Sequence, residues 1–290
     1  MSSRYLGCHV SAQGGLLAAL QRGERLGVNT IQIHPCAPQR WNVVPFASNI
    51  EADYVANKPH SLVKRVFFHG IYLINLATPN DLNREKSELS LIHDLDLAAR
   101  IQAEGVIFHV GSLKDEPDET CGLKRAARSI DTILSRTTGN TPLLLEVSAG
   151  SGKIIGSRFT QLTRIFDWVS PQNQKRVLFA LDSQHLWASG YDIASDLQTL
   201  LEEIKNTVGI ERVAAIHLND SKSELASCHD RHADLGTGTI GWDALSAFIN
   251  HPLLQNIPTI LETPSLRTEE GAKNEIAALR RMANEGPASS

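Results

Sequence analysis

No run of about 18 or more consecutive apolar residues occurs in the 290-residue chain, so no segment reads as a membrane span. The start, Met1-Ser2-Ser3-Arg4-Tyr5, lacks leader architecture, and the expectation is a soluble, cytoplasmic protein. Cysteine is sparse. Cys8, Cys36, Cys121 and Cys228 stand apart without CxxC spacing, which fits reduced packing thiols better than a disulfide framework. Cys228, beside His229 and Asp230, is also read as a packing residue, because one thiol near other donors is weak evidence of ligation. Positive charge is not in excess: the formal net charge is −4, so any binding of nucleic acid must rest on a local surface. No GxGxxG or Walker A motif follows an early strand, which removes support for a nucleotide-binding doubly wound sheet. Internal repeats, low-complexity tracts and linkers are absent from the sequence. Residues 1–285 read as one domain and 286–290 as a loose tail.

What the chain does have is a recurring short apolar run. Such runs cover residues 5–10, 30–34, 66–69, 106–110, 143–147, 177–182, 213–218 and 259–262, each β-rich in composition. Most start roughly 35 to 40 residues apart, the length of a strand, a loop, a helix and a loop. Helical spacing of apolar residues fills the gaps at 15–26, 83–103, 119–134, 159–169, 193–208, 242–249 and 269–283. A further helix at 50–64 should end or kink at Pro59. Eight such units, with an apolar fraction of 42%, predict an α/β fold of the (β/α)8 TIM-barrel type, in which functional groups gather where the strands end.

The strand ends are chemically uniform. They carry His9, His34, His69, His109, Glu146, Asp182, His217 and Glu262. A single histidine in such a place is as often a hydrogen-bonded mouth residue as a ligand. The set is harder to dismiss, because several carboxylates crowded into one pocket repel and lose solvation unless cations neutralise them. Mixed imidazole and carboxylate donors suit Zn²⁺ or Mn²⁺ better than Ca²⁺, and the lack of thiolates argues for an open, catalytic centre. His185, three residues after Asp182, and the run Asp230-Arg231-His232 offer further donors in loops.

From Gly7-Cys8-His9-Val10-Ser11 almost to its end, the chain resembles the endonuclease IV family, metal-dependent apurinic/apyrimidinic endonucleases built on a xylose-isomerase-like barrel. The resemblance is carried by His69-Gly70-Ile71-Tyr72-Leu73-Ile74-Asn75-Leu76-Ala77, Phe108-His109-Val110-Gly111-Ser112, Asp182-Ser183-Gln184-His185 with Gly190-Tyr191-Asp192, His217-Leu218-Asn219-Asp220-Ser221-Lys222 and Asp230-Arg231-His232. It implies three metal ions, Zn²⁺ with Mn²⁺ admitted at one or more sites. His69 and His109 would hold one, with Glu146 bridging to a second held by Asp182, His217 and Glu262; His185, Asp230 and His232 would hold the third. Glu146 and Glu262 would be the catalytic carboxylates. The implied partner is damaged double-stranded DNA, met by a monomer with no obligate protein partner and no membrane. Gln39, Arg40, Trp41, Tyr72, Ser112, Lys222 and Arg231 are the candidate DNA contacts, Lys and Arg for phosphates and the aromatics for bases.

The sequence also departs from the family. Gln39 stands where an intercalating Arg is usual, and lacks both its charge and its stacking plane. Val147, Gly70 and Gln184 replace a usual Asn, Asp and Cys, Ala226 a usual Gly, and Cys228 a usual basic residue or Asn. His9 reads as lining the site, His34 has no family role, and His60, His93 and His251 read as solvated or capping. Two other functions compete: a single-metal sugar isomerase or epimerase of the same barrel superfamily, which needs only four of these ligands, and a damage-binding protein without catalysis.

Overall fold

Strands β1 (Leu6–His9), β2 (Thr30–Ile33), β3 (Arg65–His69), β4 (Gly105–Phe108), β5 (Leu143–Glu146), β6 (Val177–Asp182), β7 (Val213–His217) and β8 (Thr259–Leu261) pair in parallel, each with its chain neighbours. Leu6 of β1 pairs with Thr259 of β8, which closes the barrel. This arrangement is seen in a computed structural model that describes residues 4–41, 48–114 and 116–284. The tail at 286–290 lies outside the described residues. Every position of β4 and β5 is buried, as expected for parallel strands covered on one face by helices and on the other by the barrel lumen.

Side chains alternate along a strand, so residues two apart point the same way. Phe67, Ile107, Leu144, Ala180, Ala215 and Ile260, one from each of β3 to β8, pack together as a separate lumen cluster. Two residues beyond them in sequence lie His69, His109, Glu146, Asp182, His217 and Glu262. The apolar floor and the polar layer above it thus come from one alternation. Strands β1 and β2 fill the floor differently, with Gly7 and Gln32. Gly7 is required by close approach: a Cβ there would fall 1.6 Å from the Thr30 carbonyl oxygen of β2.

The larger core lies between the barrel and its helices. Helix α1 (Leu16–Arg25) buries Leu16, Ala19, Leu20 and Gly23, one helical stripe. Helix α2 (Ser48–Asn57) gives way to a 3₁₀ turn at Lys58–His60, so the helix expected at 50–64 is shorter, with Pro59 in the 3₁₀ turn. Helix α3 (Asp81–Ile101) is capped by Asn80 and ends at Gln102 in the left-handed conformation. Helices α4 (Glu119–Arg136) and α5 (Phe159–Trp168) follow as expected. The short α6 (Pro171–Gln174) and α7 (Ser183–Ser189) were not foreseen, being too brief to show a period. Helix α8 (Leu197–Asn206) starts later than the expected residue 193, because Asp192 accepts hydrogen bonds from the Ala194 and Ser195 amides and forms a turn. Helices α9 (Trp242–Asn250) and α10 (Glu269–Met282) complete the set. No helix among the described residues is long and apolar enough to cross a membrane.

Candidate metal centre

Six of the nine expected ligands stand at strand ends, and local chemistry places the other three. Asp182 is both the last residue of β6 and the N-cap of α7, accepting a 2.8 Å hydrogen bond from the His185 amide. The cap therefore sets His185 one turn from Asp182. A two-residue antiparallel ribbon, Asp220–Ser221 with His232–Ala233, folds the loop carrying Asp230 and His232 back over the mouth. Asp220 holds that loop by accepting from the amides of Ser221, Gly238, Ile240 and Gly241.

The donors converge on Glu146. Its Oε2 lies 3.2 Å from His69 Nε2 and 3.4 Å from His109 Nε2, while its Oε1 lies 2.8 Å from His217 Nδ1. One carboxylate thus faces two imidazole groups with different oxygens. His217 Nδ1 is also 3.3 Å from Glu262 Oε2 and 3.8 Å from Asp182 Oδ2. Asp230 reaches His185 Nε2 at 3.4 Å and His232 Nε2 at 3.2 Å, and His232 Nε2 is 3.9 Å from Asp182. Three groups have donor atoms all within 4.8 Å of one another: His69, His109 and Glu146; Glu146, Asp182, His217 and Glu262; and Asp182, His185 and His232.

Except at His109, the remaining ring nitrogens are tied down from outside. His69 Nδ1 is 2.8 Å from the Gly70 carbonyl, His185 Nδ1 3.0 Å from that of Val147, and His232 Nδ1 3.2 Å from that of Glu262. Each such contact turns the opposite nitrogen toward the cluster. Two residues that sequence reading passed over do the same from side chains. Gln32 places its Oε1 2.7 Å from His217 Nε2 and donates from Nε2 to Glu262 Oε1 at 2.5 Å. Asn219 donates to Asp182 Oδ2 at 2.8 Å and accepts from the Glu262 amide. The signal for Gln32 was present: it is a lone amide between Ile31 and Ile33, at a lumen-facing position.

Electrostatics divides the imidazoles. Burial pulls His217 down, but the Glu262, Glu146 and Asp182 carboxylates outweigh it and raise the group to about 9. His232 is likewise raised to about 9, against burial, by Asp230 and Asp182. Burial pushes Glu262 up, yet His217 and His69 draw it down to about 2. His34 goes the other way: burial and the neighbouring His69 lower it to about 3. The packed carboxylates therefore demand positive charge at the centre, and without cations they take it as protons on histidines. His109 adds a buried Nδ1 with no hydrogen-bond partner among the described residues. This donor set fits divalent cations bound by imidazole and carboxylate.

The expected DNA contacts spread around the rim. Tyr72 is 62% exposed, with its ring 5.5 Å from that of His34. Arg40 and Tyr72 line a cavity of about 1300 Å³ together with His9, His34, His232 and Glu262. Gln39, Lys222 and Arg231 are exposed, and Trp41 is half-buried. Ser112 lies on another side, where its amide and carbonyl are held by Asn75. His93, expected to be solvated or capping, is only 18% exposed in its side chain and sits against Asp94. Three departures from the family can be set against their surroundings. A Cβ at Gly70 would lie 2.8 Å from Ile74 Cδ1 and 3.2 Å from Phe108 Cβ, so an Asp there needs Ile74 to move. Gln184 donates to the His229 carbonyl at 2.9 Å, bracing the ribbon loop. Ala226 sits at φ 60°, a conformation that suits the usual Gly.

Fold and donor set together define a barrel of the xylose isomerase-like TIM-barrel class, whose family model matches residues 20–282. A D-tagatose 3-epimerase-like protein shares that fold, with a TM-score of 0.74 at 13% identity over 97% of each chain. More similar are a probable endonuclease 4 of Halothermothrix orenii, 36% identical over 95% of this chain and 99% of the relative, and one of Chloroflexus aggregans, 34% identical over 95% and 96%. The crystal structure of endonuclease IV from Thermus thermophilus matches with a TM-score of 0.85 and 30% identity, over 97% of this chain and 100% of that one. Within the barrel class, the chain belongs to the endonuclease IV family.

Proposed function

We propose that the protein is a DNA-repair endonuclease that hydrolyses the phosphodiester 5′ to an abasic site, leaves a 3′-hydroxyl, and also trims blocked 3′ ends. The observation that carries this reading is Glu146, whose two oxygens face two separate imidazole-containing groups. His69, His109 and Glu146 would hold one cation; Glu146, Asp182, His217 and Glu262 would hold a second; His185, Asp230 and His232 would hold a third. Zinc is the expected ion, with manganese admitted. Cations held there supply Lewis-acid activation of water near neutral pH and neutralise charge on phosphate oxygens during in-line displacement.

The protein groups then have separate tasks. Gln32 and His217 fix the Glu262 carboxylate, which stays anionic and orients the attacking water. Against burial, the neighbouring His217 and His69 rings draw this carboxyl well below the usual range, which favours its anionic form as the acceptor for that water. Tyr72 stacks on an exposed base, Arg40, Lys222 and Arg231 bind backbone phosphates, and Gln39, Trp41 and Ser112 complete the DNA contacts. The protein works as a monomer in the cytoplasm, reaching its substrate without a protein partner.

The five donors beyond Glu146, Asp182, His217 and Glu262 favour this reading over a one-metal sugar isomerase, which has no use for them. The test is cleavage of a duplex carrying one abasic-site analogue, with Glu146→Ala protein prepared in parallel. Incision 5′ to the lesion by the parent alone is expected. No incision by a parent that holds its metals would return the choice to sugar chemistry or to binding without catalysis.

A further inference from the structure

A fourth group of donors, distinct from those at the strand ends, lies where the loop after β2 meets helix α3, with Cys36 on the wall of the cavity that His34 and Tyr72 also line. There Cys36, His93 and Asp94 bring a thiol, an imidazole and a carboxylate within 4.8 Å of one another. We propose that these three residues form a separate site for one thiophilic divalent cation of the zinc class, which clips the loop at 36–41 to helix α3.

The geometry is that of three donors competing for one point. Cys36 Sγ lies 4.0 Å from His93 Nδ1, and Asp94 Oδ1 lies 3.1 Å from that same nitrogen. A ring nitrogen offers either one proton or one lone pair, so it can satisfy only one of these neighbours by hydrogen bonding. A cation among them serves all three. Asp94 supplies the second observation: its side chain is fully buried, and its Oδ2 has no hydrogen-bond partner among the described residues. Tetrahedral coordination with ordinary Zn–S and Zn–N bonds places sulfur and nitrogen roughly 3.5 Å apart, so Cys36 Sγ stands about half an ångström beyond that separation from His93 Nδ1. A thiolate in the set selects zinc-like ions against magnesium and calcium, and a fourth position remains for water. None of the three residues belongs to the centre at the strand ends.

The clip has a structural consequence. The same loop carries Gln39, Arg40 and Trp41, and its Pro38 carbonyl accepts from the Tyr72 amide at 2.9 Å. Fixing Cys36 to α3 anchors that segment at its base, while the Tyr72 amide anchors its middle.

The test uses cobalt, because the centre at the barrel mouth contains no thiolate ligand. Protein stripped by chelation and reloaded with Co²⁺ should show sulfur-to-cobalt charge-transfer absorption in the near ultraviolet. That absorption should survive Cys228→Ser, which removes the thiol beside His229 and Asp230, and vanish in Cys36→Ser. Elemental analysis should find one equivalent of metal per chain fewer in Cys36→Ser and in His93→Gln than in the parent, with circular dichroism unchanged. A parent that shows no thiolate band overturns the proposal and leaves a hydrogen-bonded trio; so does a band that persists in Cys36→Ser. Absence of the band from the parent decides against the site even where a variant folds poorly.

Discussion

The barrel mouth has two sectors that use the same residue type to opposite ends. Across β3 to β8, an apolar floor supports a layer of histidines and carboxylates, and His217 is raised to about 9. Across β1 and β2, Gly7 and Gln32 take the floor positions beneath His9 and His34, and His34 is lowered to about 3, His9 to about 4. Burial acts on all of these rings in the same direction. What differs is the carboxylate: His217 touches Glu146 and Glu262, whereas the His34 ring packs against other rings, those of His9, His69 and Tyr72. Carboxylate contact thus raises His217 where packing against rings leaves His34 low, although at His109 burial still outweighs Glu146 and the ring is lowered.

Removing the carboxylate that organises the first sector should have the largest effect. Glu146→Gln deprives His69, His109 and His217 of their shared partner. Metal analysis should show loss at two groups together, and incision should fall by on the order of 10³-fold or more, the scale of losing a charge-stabilising group. Full occupancy in the variant would contradict the bridging role. A smaller break comes from the one β2 residue that reaches across. Gln32→Leu removes the partner of both His217 and Glu262, and a loss of roughly 10- to 100-fold in metal affinity or activity is expected, as for other groups that orient ligands. An unchanged affinity would mean that the second sector only lines the cavity.

The raised histidines sharpen the comparison through pH. In metal-free protein, His217 and His232 bind protons more tightly folded than unfolded, where an ordinary histidine titrates near about 6.5. The stability they contribute is fully present below that value and is lost as pH rises through about 9. Metal loading reverses the trend, because cations need the deprotonated rings and bind better as pH rises. Thermal melts at about pH 6 and pH 9.5, with and without metal, should therefore slope in opposite directions. Parallel slopes would mean that the carboxylates do not govern these imidazoles.

The centre was more legible in the sequence than its supports. Strands ending in His, Glu or Asp announce themselves because the alternation that buries Ile107 or Leu144 also delivers His109 and Glu146 two residues later. The barrel followed from the spacing of those strands. Gln32 and Asn219 escaped notice as supports because they act through other residues, and one amide in an apolar strand carries no period. Helix α7 and the ribbon at Asp220–Ser221 are too short to leave a pattern, although the Asp182-to-His185 spacing held the cap that builds the former. The pairing of Cys36 with His93 spans 57 residues and joins a loop to a helix, a contact that only the packing of α3 against the barrel creates.

The smallest effect is expected where the second sector is most unlike the first. His34→Phe removes an imidazole whose Nδ1 is 2.9 Å from the His69 carbonyl and whose ring flanks Tyr72. Among the described residues no carboxylate is in contact with it, and Glu262 acts on it only as the weakest influence, so metal content and the slopes of the melts should match the parent. The ring does border the cavity that Tyr72 and Arg40 share, and Phe keeps its shape while removing the link to the His69 backbone. KM for an abasic duplex should therefore shift by only a few fold while kcat holds, since that pattern marks a contact made equally before and during reaction. Loss of a metal in this variant would erase the distinction between the sectors, because it would make a ring that no carboxylate of the described residues touches part of the centre.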